Sequence, residues 1–594
     1  MKELMSGNEA IARGAWQAGV KVACAYPGTP STEILENAAR YPEINAEWSP
    51  NEKVALEVAA GSAMAGARTM ASLKHVGLNV AADPLFTLSY TGIKGGLVIV
   101  NADDPSMHSS QNEQDNRHYA RAAKLPMLEP SDSQECIRFM GLAFDMSEKF
   151  DCPVIVRTTT RISHGVGLAE TGERKEQKGE TGWEKNPPKW VMLPAFARKR
   201  HPLIEQRTKD LQQAAEKFSE NRIEEGDKSI GIITSGVAYQ YAREAFPEAS
   251  FLKLGMVWPL PRELIRKFAA MVDNLYVVEE LDPFLEDYIH GMGIDVKGKE
   301  LFPICGELSP AAVEAGISGK SGPEFAAPDP EVAPRPPILC PGCPHRGLFT
   351  ALGEFEVFVC GDIGCYTLAA PPPLSALDSC LCMGAGIGQS FGMEKAMGES
   401  GKAVSVIGDS TFYHSGITSL LDIAYNSGKT TVLILDNGTT AMTGRQGNPG
   451  AGYDACQEPC PSVDLVGLAK SLGIGRVREV HPYKLDEARQ AIKEELEADE
   501  ASVIISRGPC MLIPASKEVK KGPLQVVKDK CSGCKLCFKV ACPAVHWVAE
   551  EGTYTNEKGK TKKRQGHVTI DPLFCTGCEV CLQVCKFDAI VSGE

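Results

Sequence analysis

AVSVIGDSTFYHSGITSLLDIAYNSGKTTVLILDNGT, residues 403–439, reads as a strand, a crossover helix and a second strand parallel to the first. Two apolar runs, AVSVIG and TTVLILD, flank a helical stretch, and each ends in a polar, glycine-containing triplet: Gly408-Asp409-Ser410 and Asn437-Gly438-Thr439. In a parallel pair both carboxyl ends emerge at one edge of the sheet, where open α/β sheets bind their ligands. Asp409, Asn437 and the backbone carbonyl of Thr439 supply three hard oxygens, a set that suits Mg²⁺ completing its octahedron with phosphate oxygens. The glycines let a diphosphate approach the backbone. A bare Gly-Asp pair would be only a turn after a strand. A GDS-x26-N spacing on a βαβ unit is far more specific.

Outward from this unit the same alternation recurs. Residues 1–170 carry short apolar runs (VKVACAYPG, GGLVIVNAD, CPVIVRTTT) between helical stretches rich in small residues, which argues a parallel α/β domain. Residues 171–227 turn polar and read as an excursion or linker, and 228–321 as a smaller α/β unit. The proline-rich stretch 322–338 predicts an extended connector, followed by the third α/β unit over 339–520 and a cysteine-rich tail over 521–594.

A chain of 594 residues with 43% hydrophobic and 23% charged residues is a multidomain globular protein. No run long enough to span a membrane occurs, and the first residues lack the pattern of a signal peptide, so a cytoplasmic location with no membrane partner is expected. The net charge of −14 has the wrong sign for a phosphate-backbone binder, so no nucleic acid is expected either.

Eight of the 21 cysteines lie in the last 64 residues. They are spaced Cys531-x2-Cys534-x2-Cys537-x4-Cys542-Pro543 and Cys575-x2-Cys578-x2-Cys581-x3-Cys585. Three cysteines at this spacing wrap one cubane while the fourth reaches the other. That predicts one [4Fe-4S] cluster on Cys531, Cys534, Cys537 and Cys585, and a second on Cys542, Cys575, Cys578 and Cys581. A pair of zinc sites would leave the third cysteine of each run unexplained. Two features depart from the common ferredoxin spacing: four residues precede Cys542, and Lys586 stands where proline is usual. Between the runs lie Lys558, Lys560, Lys562, Lys563 and Arg564, either a solvated loop or a docking patch for an acidic electron carrier.

The GDS-x26-N stretch resembles the thiamine diphosphate fingerprint, with Ser410 in place of the usual final glycine, as 2-oxoacid:ferredoxin oxidoreductases tolerate. Tyr26-Pro27-Gly28-Thr29-Pro30-Ser31 is similar to the segment that opens the pyrimidine-binding domain of that family, where Thr29 matches a substrate-contacting threonine. Cys340-Pro341-Gly342-Cys343, Gly361-Asp362-Ile363-Gly364-Cys365 and Pro509-Cys510 resemble its third cluster site, which implies a proximal [4Fe-4S] on Cys340, Cys343, Cys365 and Cys510, with Asp362 and Gly364 in the cofactor site and His345 as a diphosphate contact or a structural histidine. The order of parts, with LCPGCPHRGLF, DIGCYTL and CLCMGAGIG, is similar to the large subunit of the family's indolepyruvate branch. It implies a multidomain α/β fold: thiamine diphosphate-binding parallel-sheet domains, a transketolase C-terminal-like domain and a small two-cluster ferredoxin-like α+β domain.

The resemblance further implies oxidative decarboxylation of aryl 2-oxoacids of the indolepyruvate and phenylpyruvate type, with coenzyme A taking the acyl group and an external ferredoxin taking the electrons. Pyruvate or another 2-oxoacid as substrate, a non-oxidative thiamine decarboxylase, and a pure electron-transfer subunit are the competing readings. The family activates its cofactor through a glutamate, for which Glu52 and Glu57 both qualify; offsets to Gly66 and Gly77-Leu78 favour Glu52. The family's γ-type domain is absent from this chain, so a small β subunit is an expected partner. Because Glu52 and Asp409 fall in different domains, a second copy of this chain is expected as well, in a dimer of heterodimers.

Overall fold

The runs Leu97–Asp103 and Val154–Thr159 are buried at every position, as strands covered on both faces must be. In the computed structural model, which describes residues 2–176, 181–182, 185–319, 336–518, 520–555 and 559–593, these runs form the middle of a seven-stranded sheet. The chain divides into two compact units, residues 1–330 with 455–457, and residues 331–454 with 458–594.

In the first unit the strands lie in the order Met256–Trp258, Met127–Leu128, Val154–Thr159, Leu97–Asp103, Thr69–Lys74, Val22–Ala25, Asn45–Trp48. All pairs are parallel except the first, which is antiparallel. Helix Gly7–Gln17 starts with a capping box between Ser6 and Glu9 and packs on helix Ser133–Phe150, capped by Asp132. A Cβ on Gly14 would stand 2.7 Å from the Ile137 carbonyl oxygen, so this crossing requires a glycine.

The smaller sheet of this unit runs Leu275–Val278, Asp227–Ser235, Ala249–Leu254, Arg222–Glu224, the last strand antiparallel. Here the structure differs from the sequence reading. The polar stretch 171–227 holds a 22-residue helix, Pro194–Ala215, and the edge strand Arg222–Glu224. Only Ile204, Arg207, Leu211 and Ala215 of that helix are buried, so its composition looks like a linker although one stripe is core. The run SFLKLGMVWPL, which reads as one strand, is broken at Gly255, and Met256–Trp258 joins the larger sheet. The Asn221 side chain accepts hydrogen bonds from Gly255 N and Met256 N at 2.9 Å each and fixes that break.

The second unit contains a six-stranded parallel sheet ordered Ser379–Cys380, Phe358–Gly361, Ala403–Gly408, Thr431–Asp436, Ser502–Arg507, Arg476–Val480. Its 431–436 strand follows a helical segment that begins at Asp409, passes through one π-helical turn at Phe412–Gly416, and continues as Ile417–Tyr425. Such a turn is frequent at functional sites. Three short antiparallel ladders make up the tail, and its buried cluster includes Cys531, Cys537 and Cys581 beside Val540, Val545, Val568 and Val580. The connector expected over 322–338 lies outside the described residues up to position 335, as does Lys558. Among the described residues no helix is long and apolar enough to cross a membrane.

Candidate functional site

In the first unit, strands Val22–Ala25, Asn45–Trp48 and Thr69–Lys74 deliver three loops to one carboxyl edge. The 26–31 turn is held by Ser31, whose Oγ donates to the Gly28 carbonyl at 2.8 Å, and by Asn8, whose Nδ2 donates to the Pro30 carbonyl at 2.7 Å. Thr29 is half-buried on this turn. Glu52 opens helix Glu52–Met64 behind the Asn51 cap and is only 4% exposed. Its carboxylate lies directly over Gly77, where a Cβ would stand 2.7 Å from Oε1. Glu57 is exposed and pairs with Lys53 on the outer face of the same helix.

Lys74 was invisible to sequence reasoning because no motif contains it. Its methylenes pack on Gly28, where a Cβ would stand 3.0 Å from Cγ and Cδ. Its Nζ donates to the Ser109 carbonyl at 3.0 Å and to Ser110 Oγ at 2.9 Å. Burial pulls this ammonium down to about 8, against the opposing pull of Asp104 and Glu52. A cationic group of adjustable charge therefore sits beside Thr29 and Glu52.

In the second unit, Asp362, Asp409 and Asn437 follow three adjacent strands at one carboxyl edge. Asp409 is buried; its Oδ2 accepts from Gly438 N at 3.2 Å and from Asn448 Nδ2 at 3.0 Å, and no cationic side chain among the described residues pairs with it. Burial, and then the negative Asp436, push its carboxyl up to about 7. A buried carboxylate with amide donors and no counter-cation fits a divalent ion. Asn437 is buried too, and its Oδ1 accepts from Thr439 N at 3.0 Å. Gly438 between them has φ 74°, a left-handed turn that favours glycine. Ser410 and Thr440 hydroxyls bond each other at 2.8 Å. Asn448, the second amide on Asp409, lies in a loop whose sequence carries no recognisable signal.

Asp362 is fully buried, with the Tyr366 hydroxyl donating to Oδ1 and Gly384 N to Oδ2 at 3.1 Å. Burial raises this carboxyl well above its ordinary range. Tyr366 covers both Gly364 and Gly408, since a Cβ on either would stand 2.3 Å and 2.8 Å from its Cε1. His345 faces Asn437, Nε2 to Nδ2 3.4 Å, and burial, helped by Arg346, pulls it down to about 4, so the ring is neutral at pH 7.

Neighbouring thiols bear on one another within each of the three expected cysteine sets, and Cys537 of one tail set also bears on Cys581 of the other. Cys531, Cys534, Cys537 and Cys585 line a single cavity with Val526, Phe587 and Ile590. Cys581 is raised by burial first and then by Cys578, Cys542 and Cys575. Cys365 is pushed up to about 11 by burial and then by Cys510 and Cys340, and Cys343 up to about 12 by burial, with smaller contributions from Cys365 and Cys340. Among the described residues no group of three or more His, Cys, Asp or Glu could hold a single metal ion. Four thiols around one apolar cavity instead fit a cluster anchored at its corners.

The Cys340–Cys343 turn touches the tail. Arg346, which sequence reasoning missed, donates from Nε to the Cys340 carbonyl and from Nη1 to the Val540 carbonyl, each at 3.0 Å. Tyr483 donates to the Gly342 carbonyl at 2.7 Å, and Gly342 itself lies against Thr576. On the tail side, Cys542 and Cys578 bear electrostatically on Arg346, and Cys578 on Tyr483.

Comparison with known proteins follows this partition. Residues 13–225 match the family described as pyruvate flavodoxin/ferredoxin oxidoreductase, thiamine diphosphate-binding; residues 362–506 match the thiamine pyrophosphate enzyme C-terminal binding domain; residues 524–586 match the 4Fe-4S dicluster domain. The chain is 40% identical over 626 residues to the indolepyruvate oxidoreductase subunit IorA of Archaeoglobus fulgidus, covering 99% of this chain and 97% of that protein. The Pyrococcus horikoshii IorA is 39% identical over 639 residues, covering 99% and 96%. Among solved structures, the 2-oxoglutarate:ferredoxin oxidoreductase of Magnetococcus marinus aligns with TM-score 0.45 and 19% identity over 54% of this chain and 65% of that one.

Proposed function

The chain belongs to the indolepyruvate oxidoreductase IorA subunit family, and on that premise we propose that it is the large subunit of an enzyme that oxidises aryl 2-oxoacids of the indolepyruvate and phenylpyruvate type to arylacetyl-CoA and CO₂, reducing ferredoxin. Bound thiamine diphosphate supplies the electron sink for decarboxylation, and the iron–sulfur clusters carry single electrons away.

The chain's own residues account for the rest. Asp409, Asn437 and the Thr439 carbonyl would hold Mg²⁺, and Gly438 keeps the turn between the last two. Glu52, dry and fixed at a helix start, holds and moves the proton of the cofactor's aminopyrimidine; the exposed Glu57 is left without that role. Thr29 orients the substrate beside it. Cys340, Cys343, Cys365 and Cys510 would anchor the first electron acceptor, and the contacts through Arg346 and Gly342 support the Cys542–Cys575–Cys578–Cys581 set as the next in line. We take a small β subunit and a second copy of this chain as partners.

One observation supports this reading: Asn437, which would lie on the diphosphate side, and Cys510, which would hold the cluster, are joined by a backbone hydrogen bond of 3.0 Å. Turnover of indolepyruvate, phenylpyruvate and pyruvate by the complex with its small subunit tests it. Preference for the aryl acids, with coenzyme A and ferredoxin both required, is the expected result. Preference for pyruvate, or aldehyde release without ferredoxin reduction, would overturn it.

A further inference from the structure

Charge in the tail is unevenly spread. Residues 526–564 hold nine basic and four acidic residues, in a chain whose net charge is −14. Residues 571–593, which carry the second cysteine run, hold three acidic residues and one lysine. The basic excess is therefore confined to the side of Cys531, Cys534 and Cys537.

The fold gathers it. Strands Gly552–Thr555 and Thr561–Arg564 form a hairpin on which Lys562 and Lys563 are exposed opposite Tyr554 and Thr553. Arg564 at its base donates from Nη1 to the Cys531 carbonyl at 2.9 Å and also to the Lys528 carbonyl. Hairpin, Lys528–Lys530 turn and cluster loop are thus one structural piece. Tyr554 of the hairpin meets Phe587 edge-on at 6.0 Å between centroids, and Phe587 lines the cavity of the four cysteines. Lys528, Lys530, Lys535 and Lys539 are exposed around the loop, and Cys534, alone among the four, is exposed as well.

We propose that the face formed by strands Gly552–Thr555 and Thr561–Arg564 and the 528–539 loop docks a small acidic iron–sulfur carrier, which takes electrons from the cluster of Cys531, Cys534, Cys537 and Cys585, with Cys534 as the exit ligand. The proposal rests on the enzymatic reading above and adds the surface and the terminal cluster. Positive side chains around a solvent-facing thiolate attract and orient an acidic partner, and electrostatic steering of this kind acts mainly on encounter. The balance is simple: each oxoacid yields two electrons, so two carriers are reduced by one electron each while CO₂ leaves, the acyl group passes to the coenzyme A sulfur and the thiol proton is released. The exposed Leu573 and Phe574, beside Cys575, form a separate apolar patch without this charge.

The test uses the complete complex, wild type and the double variant Lys562→Glu/Lys563→Glu. Indolepyruvate- and CoA-dependent reduction of saturating benzyl viologen reports the enzyme itself, and reduction of an acidic two-cluster ferredoxin reports docking. The variant is expected to keep the dye rate and cluster spectra while its KM for ferredoxin rises about tenfold and its dependence on salt flattens. Wild-type KM and salt dependence in the variant would overturn the proposal, whereas absence of dye reduction in wild type would instead strike the enzymatic reading. Carbodiimide cross-linking of ferredoxin to the wild-type complex decides independently of any variant. Adducts at Lys528, Lys530, Lys535, Lys562 or Lys563 support the surface; adducts confined to Lys521 or Lys586 contradict it.

Discussion

The peptide N–H of Cys510 donates to the carbonyl oxygen of Asn437 at 3.0 Å. Both residues lie beyond the ends of strands Thr431–Asp436 and Ser502–Arg507, which are paired in register over six positions, with Asp436 opposite Arg507.

Asp409→Asn should keep the fold and lose cofactor. Asn preserves shape and amide partners but removes the charge that has no counter-cation among the described residues. Calorimetric titration with thiamine diphosphate and Mg²⁺ is expected to show at least about tenfold weaker binding, roughly 1.4 kcal/mol. Unchanged affinity would remove Asp409 from the site.

Glu52→Gln and Glu57→Gln should separate cleanly. The buried Glu52 variant is expected to bind cofactor normally and to lose about 10²–10⁴-fold in oxoacid turnover, the range for a lost proton-transfer group. Glu57 is solvated and paired only with Lys53, so its variant should turn over about as wild type. Steady-state assays of both variants, with cofactor saturation checked, measure this.

Offsets to Gly66 and Gly77-Leu78 already favour Glu52 in the sequence, and burial gives the physical difference between the two. Both lie on one helix five residues apart, and the approach of Gly77, within helix His75–Val80, shows that the Glu52 face is the dry one. Parallel-strand architecture and the Asp409–Asn437 spacing were legible because apolar periodicity and strand-end chemistry are local. Asn448, Lys74 and Arg346 were not, since each acts through contacts 39, 46 or more than 190 residues away along the chain. Helix Pro194–Ala215 was missed for a related reason: four buried positions in 22 are too few to stand out from a polar run.

Iron content should follow the ligand sets. The loaded chain is expected to hold about twelve irons in three cubanes, and Cys510→Ala about eight with the tail spectra intact. Loss of every cluster signal in that variant would contradict the partition. Iron and acid-labile sulfide analysis with low-temperature EPR provides the readout.

Stability should carry a carboxyl signature near neutrality. Burial pushes Glu280 up to about 7 from an ordinary 4.5, opposed by the Leu308 N–H and Arg157. The folded chain keeps this proton where the unfolded chain releases it, so the group's contribution is complete below about pH 4.5 and is lost as pH rises through about 7. Glu280→Gln, which cannot titrate, should gain Tm relative to wild type between about pH 5 and 8. A pH-independent difference would place Glu280's titration elsewhere.

The central claim is that a 2-oxoacid oxidised by the assembled complex delivers its electrons to clusters bound by this chain. Anaerobic rapid mixing of the thiamine diphosphate- and Mg²⁺-loaded complex with indolepyruvate and coenzyme A, without external acceptor, tests it most directly. The account predicts bleaching of the iron–sulfur absorbance in step with CO₂ release, absent in Glu52→Gln. CO₂ release with the clusters left oxidised, or bleaching that is undiminished in Glu52→Gln, would contradict it.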